Sequence, residues 1–156
     1  MGLLDFTWYY IIVFLFVLSV LIYVHEWGHY WVARRNGVRV EVFSIGFGPE
    51  VFGWNNELGT RWKIGLIPLG GYVKMFGENL NDEEGESPRK FTDEEIAVSF
   101  HHKSLAQRSS IVAAGPIVNF LFAILTFAAL AMFEGTARPL AVVGDVLSKS
   151  AASEAG

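Results

Sequence analysis

The sequence predicts an α-helical membrane protein, with two transmembrane helices joined by a membrane-associated β-hairpin or small sheet and an acidic cytoplasmic loop. Three observations carry that prediction. Of the 156 residues 52% are hydrophobic and only 18% are charged, where soluble chains carry about 25% charged residues. Residues 6–24 and 109–133 contain no Asp, Glu, Lys or Arg, and each stretch is long enough to cross a hydrocarbon core of ~30 Å as a helix. Between them, β-branched and aromatic runs alternate with Gly, Pro and Asn clusters, the pattern of short strands and turns.

The first helix is expected over about 7–33. No Lys or Arg precedes Arg34 and no small-residue cleavage site follows a short apolar core, so it reads as a retained anchor and not as a cleaved signal peptide. Arg34, Arg35 and Arg39 follow it, and Lys103 and Arg108 precede the second apolar segment. The excess of positive charge at these ends places residues 34–108 in the cytoplasm and both termini outside. The β region is expected over 38–76, from the runs VRVEVFSI, TRWKIGLI and GGYVKMF. These runs are more apolar than a solvated loop requires, so the element should pack on the helices or dip into the membrane, where irregular backbone needs protein or a wet cavity beside it.

Residues 77–91 read as a solvated acidic loop. Thr92 followed by Glu95 matches a capping box and predicts a short helix over 92–102. The second membrane helix is expected over about 109–133. It contains Gly115 and Pro116, where a kink is expected, and Asn119 one turn later. From Arg138 a β-like run, VVGDVL, opens what reads as a further folded domain. The chain has no cysteine, which excludes disulfides and thiolate chemistry. No basic patch suits nucleic acid, so no such partner is expected.

The chemistry concentrates at HEWGH, residues 25–29. Ionisable groups inside a membrane segment are costly and mark function. On a helix His25 and His29 are four residues apart and face the same way. Two neutral imidazoles at that spacing can hold a zinc ion, which acidifies the water of a hydrolysis, with Glu26 beside them as general base. The bland alternative is a pair of satisfied helix histidines, which leaves the cost of three ionisable groups unexplained. By rise per residue, residues 6–24 cover ~28 Å, so the motif should lie just inside the cytoplasmic edge of the bilayer. A catalytic zinc takes three protein ligands, and the third is not evident. His101 and His102 suit a juxtamembrane surface, and residues 109–133 contain no Asp, Glu or His.

HEWGH in a first membrane helix, then GFGP (46–49), IPLGGYVKMFGE (67–78), FHHKSLAQR (100–108) and AGPIVNFLFA (114–123) occur in that order. This combination, spread over nearly the whole chain, resembles the site-2 protease family of intramembrane zinc metalloproteases (peptidase M50). The resemblance implies that His25 and His29 are ligands of one Zn²⁺ and that Glu26 is the catalytic base. It implies a membrane-re-entrant β element whose strand edge takes up an unwound substrate segment, with Gly46, Phe47, Gly48, Gly70, Gly71 and Tyr72 as candidate substrate contacts. Asn119 joins them, either bonding substrate or orienting a loop; an amide bridging two helices is the alternative. It further implies a bacterial inner-membrane, multi-pass protein that cleaves a membrane-protein helix, such as that of an anti-sigma factor. Residues 138–156 look like the start of a periplasmic PDZ domain. The family's third ligand is an aspartate in a later membrane helix, in a pattern that is not found here, so the chain reads as an N-terminal part of a longer protein and as inactive alone. Two other classes compete: a non-catalytic membrane adaptor that keeps the motif, and a transporter module, which would need polar residues spread along a pathway.

Overall fold

The computed structural model describes residues 3–78 and 91–135, with side chains from residue 7 onward. Most of the acidic loop, and the domain start expected over 138–156, lie outside the described residues. The chain divides into one unit of residues 1–124 and a second of 125–156. The first holds the sheet, the first helix and the candidate site.

Helix α1 runs Leu3–Arg35. Its first half is apolar on every face: Trp8, Tyr10, Ile12, Phe14 and Phe16 are all more than half exposed. A helix that is hydrophobic all round and not buried in protein suits a membrane span. Two helical stretches, Thr7–Arg35 and Leu105–Glu134, are long and apolar enough to cross a membrane. α1 stops at Asn36 and Gly37, where the Val38 amide returns to the Ala33 carbonyl at 3.0 Å and the Asn36 side chain donates to the Val32 carbonyl at 2.9 Å. These bonds satisfy carbonyls that a helix end would otherwise orphan.

Two long strands follow, β1 (Val40–Asn55) and β2 (Arg61–Met75), paired antiparallel. The turn between them is built on Asn56, whose Oδ1 accepts from the Leu58 and Thr60 amides. The register doubles back. Residues 43–45 each have two partners, one among residues 71–73 and one among residues 62–64, while residues 50–55 return onto 61–65. Each long strand is therefore folded over. β1 bends where Gly46 and Gly48 adopt φ of +85° and +82°, a region side chains disfavour. Four short segments result, in the order 50–55, 61–65, 40–45 and 71–75, the two outer ones each paired along one side only among the described residues.

The core lies where this sheet meets the helices. Ala33, Val38, Val40, Phe43, Val73, Met75 and Ile111 are buried together. Phe43 stacks on Trp62 at 4.1 Å between ring centroids, and Tyr30 meets both rings edge-on. The folded-over tip carries the opposite pattern: Val51, Phe52, Leu66 and Leu69 are each well exposed.

Helix α2 spans Asp93–Val98, with the Thr92–Glu95 capping box formed. It is shorter than the expected 92–102 because Ser99 is extended and caps it. Backbone bonds then tie Arg39 to Val98, Phe76 to Arg39 and Phe100 to Phe76. Helix α3 covers Leu105–Glu134 and runs through Pro116 as one helix. It starts four residues before the expected 109 because Ser104 and Gln107 cap each other, Gln107 Oε1 accepting from the Ser104 amide and Ser104 Oγ from the Gln107 amide. That S-x-x-Q signature was available in the sequence and marks a helix start.

Candidate metal centre

The four-residue spacing on α1 sets the two imidazoles of HEWGH one above the other. Their rings meet edge-on at 4.8 Å, and their Nε2 atoms approach to 3.2 Å. His29 Nδ1 lies 2.8 Å from the Ile111 carbonyl on α3. A carbonyl only accepts, so this nitrogen carries the proton and His29 Nε2 presents its lone pair. His25 Nδ1 is 3.2 Å from the Asn119 side-chain amide, also on α3. An outer acceptor of the kind Ile111 offers His29, fixing the ring through its other nitrogen, accompanies metal-ligating histidines.

The helices come together through small residues. A methyl at Gly28, the fourth position of HEWGH, would lie 2.8 Å from the Ala114 carbonyl oxygen and 3.1 Å from Val118. A methyl at Gly115 would press onto His29 Nε2 and stand 2.8 Å from His25 Nε2. Glycine at 115 thus keeps the space in front of both Nε2 atoms free of a side chain. The donor set fits zinc: two nitrogens each 2.0–2.1 Å from one tetrahedral ion stand ~3.3 Å apart, close to the 3.2 Å observed. Among the described residues no group of three His, Cys, Asp or Glu side chains converges on one point. His101 instead donates to the Glu78 carbonyl at 2.8 Å, and His102 contacts Ser99 Oγ at 3.1 Å. Glu50 pairs with Arg61, and Glu41 with Lys74 at 3.4 Å.

Glu26 points to the other side of the histidine pair, toward the sheet. A methyl at Gly71 would sit 3.0 Å from Glu26 Cγ and 2.9 Å from Ile22, so β2 reaches α1 at the glutamate only because residue 71 has no side chain. Glu26 and His29 line a cavity of about 270 Å³ together with Gly71, Tyr72, Met75 and Glu78. Of the other candidate contacts, Phe47 stacks on Tyr72 at 6.2 Å and covers Gly70, while Gly46 and Gly48 form the bend. Asn119 is placed on the far face of His25, bridging α1 and α3. The sequence marked Gly115 only as part of an expected kink, and gave no role to Gly28 or the Ile111 carbonyl. The two glycines sit inside quoted motifs and could have been found as close helix approaches. A backbone carbonyl leaves no such signal.

Comparison with known proteins identifies a family for the chain. The family model described as Peptidase family M50 matches residues 13–154. A protein of Rhizobium meliloti, named provisionally as a zinc metalloprotease, is 48% identical over 160 aligned positions, covering 99% of this chain and 42% of its own. Metalloprotease MmpA of Caulobacter vibrioides is 41% identical over 152, covering 91% of this chain and 38% of its own. Regulator of sigma-E protease RseP of Escherichia coli K12 is 46% identical over 142, covering 91% and 30%. The chain therefore spans well under half the length of these relatives. With the match running over nearly all of its residues, the chain belongs to peptidase family M50.

Proposed function

We propose that this chain is the N-terminal part of the catalytic core of a zinc-dependent intramembrane endopeptidase. One observation carries the reading: the two Nε2 atoms of His25 and His29 converge at 3.2 Å, with Glu26 beside them on a cavity wall. His25 and His29 hold the metal. Zinc bound there would acidify the hydrolytic water and polarise the scissile carbonyl. Glu26 takes the proton of that water as general base and returns it to the leaving amine. Gly115 and Gly28 keep side chains out of the way, and the Ile111 carbonyl holds His29 in the ligating tautomer. The third ligand comes from outside these residues, so the chain alone is inactive.

The segment 71–75 is a sheet edge paired on one side only, and it carries Gly71, Tyr72 and Met75 along the cavity that holds Glu26. An unwound substrate strand adding to that edge would bring a peptide bond to the glutamate, in the manner of β-augmentation. Helical peptide bonds are shielded, so unwinding onto an edge is a physical requirement for cutting a transmembrane segment. The exposed apolar tip of the sheet suits burial in the bilayer. The substrate class is a membrane-protein helix, and the RseP relative's name points to one in a sigma-E control circuit, such as an anti-sigma factor. The protein sits in a bacterial inner membrane, with residues 34–108 cytoplasmic and both flanks periplasmic, following the basic residues at the helix ends.

The test is Glu26→Gln in the full-length protein, assayed on a model transmembrane substrate. Cleavage should fall by about 10²–10⁴-fold, the usual contribution of a positioned general base, while zinc stays bound. Cleavage at the normal rate would overturn the role given to Glu26. A wild-type protein that holds zinc yet cleaves no membrane substrate would favour the adaptor reading.

A further inference from the structure

His29 and His25 are oriented by different means. The backbone carbonyl of Ile111 gives His29 one tautomer. His25 has instead a side-chain amide, Asn119, whose two ends differ in chemistry but hardly in shape. The Asn119 nitrogen is placed 3.2 Å from His25 Nδ1, and its Oδ1 is buried with no donor among the described residues. In that arrangement the amide donates to Nδ1, and His25 Nε2–H donates to His29 Nε2 across the 3.2 Å gap. The pair is then satisfied without a cation. Turned over, the amide offers Oδ1 to a proton on His25 Nδ1. Both Nε2 lone pairs then face each other, an arrangement that needs a cation between them.

We propose that Asn119 is the positioning residue for His25, accepting from Nδ1–H through its Oδ1 whenever His25 ligates the metal and turning over to serve the other tautomer when it does not. The assignment rests on the zinc reading of HEWGH. It explains an asparagine at this point of α3. A carboxylate could serve only the ligating tautomer, and an apolar residue could serve neither. It also gives the buried, donorless Oδ1 a partner, the Nδ1–H that a ligating His25 must carry.

The experiment uses the full-length protein as wild type, Asn119→Leu and Asn119→Asp. Zinc affinity is measured by competition with a chelator, the visible spectrum of the cobalt-substituted protein reports ligand geometry, and thermal unfolding is followed in parallel. Asn119→Leu should bind zinc about 10–100-fold more weakly, the usual loss when an outer partner of a ligating histidine is removed. Asn119→Asp, which keeps an acceptor, should bind at least as tightly as wild type and keep the cobalt spectrum. The aspartate variant decides the matter even if the leucine variant fails to fold. Wild-type affinity in a folded Asn119→Leu would overturn the assignment, and so would a folded Asn119→Asp that loses zinc. A wild-type protein that holds no zinc would remove the metal reading and this assignment with it.

Discussion

The two halves of α1 share one apolar alphabet and do different work. Residues 8–16 turn large side chains outward, Phe14 and Phe16 being 62% and 68% exposed. In residues 28–33 it is the small positions that are held against protein: Gly28 is buried and Ala33 is fully so, while Trp31 stays exposed. The first half is large and aromatic where it faces outward. The second is small where α3 and the sheet must approach, and polar where the histidines meet. Hydrophobicity therefore marks where the chain is apolar enough to cross a membrane, but side-chain size marks where the candidate site lies. In a bilayer, close packing and hydrogen bonds, and not exclusion from water, drive helices together, which is why glycine appears at the functional end.

That contrast can be broken by substitution. The largest effect is expected at the packed end of the aromatic cluster. Phe43→Ala should cost about 3–5 kcal/mol, the usual range for emptying a buried phenylalanine site, because its ring is 1% exposed and stacked on Trp62. Phe14→Ala, on the outward half of α1, should change stability by less than about 1 kcal/mol, since it opens no cavity in protein. Thermal unfolding in one detergent measures both, and equal losses would erase the distinction. A smaller effect with a sharper readout is expected at Gly115. A methyl there enters the space before both Nε2 atoms, so Gly115→Ala should lower zinc affinity by about 100-fold, the upper end for changes next to metal ligands. Metal content after dialysis against chelator would register it, and undiminished zinc would show that this space is not where the ion sits.

Much of the candidate site's geometry was legible because its signals are local. HEWGH sets the two imidazoles by helix geometry alone, and Thr92 with Glu95 announces a helix start. The folding-over of the sheet was not legible. GFGP and PLGG mark bends, but only long-range pairing decides that residues 43–45 take partners on both sides. The Ile111 carbonyl that orients His29 belongs to the backbone, so no residue type announces it. Asn119 was visible as a lone amide in an apolar helix. Which side of the histidines it serves depended on the close approach that Gly28 and Gly115 permit, a property of two helices at once.

The central claim is that His25 and His29 are two ligands of one zinc ion. X-ray absorption at the zinc edge of the full-length protein tests it most directly. The account predicts a shell containing two imidazole nitrogens at ~2.0–2.1 Å, with loss of bound zinc in His25→Ala. A shell without imidazole, or one unchanged in His25→Ala, would contradict it.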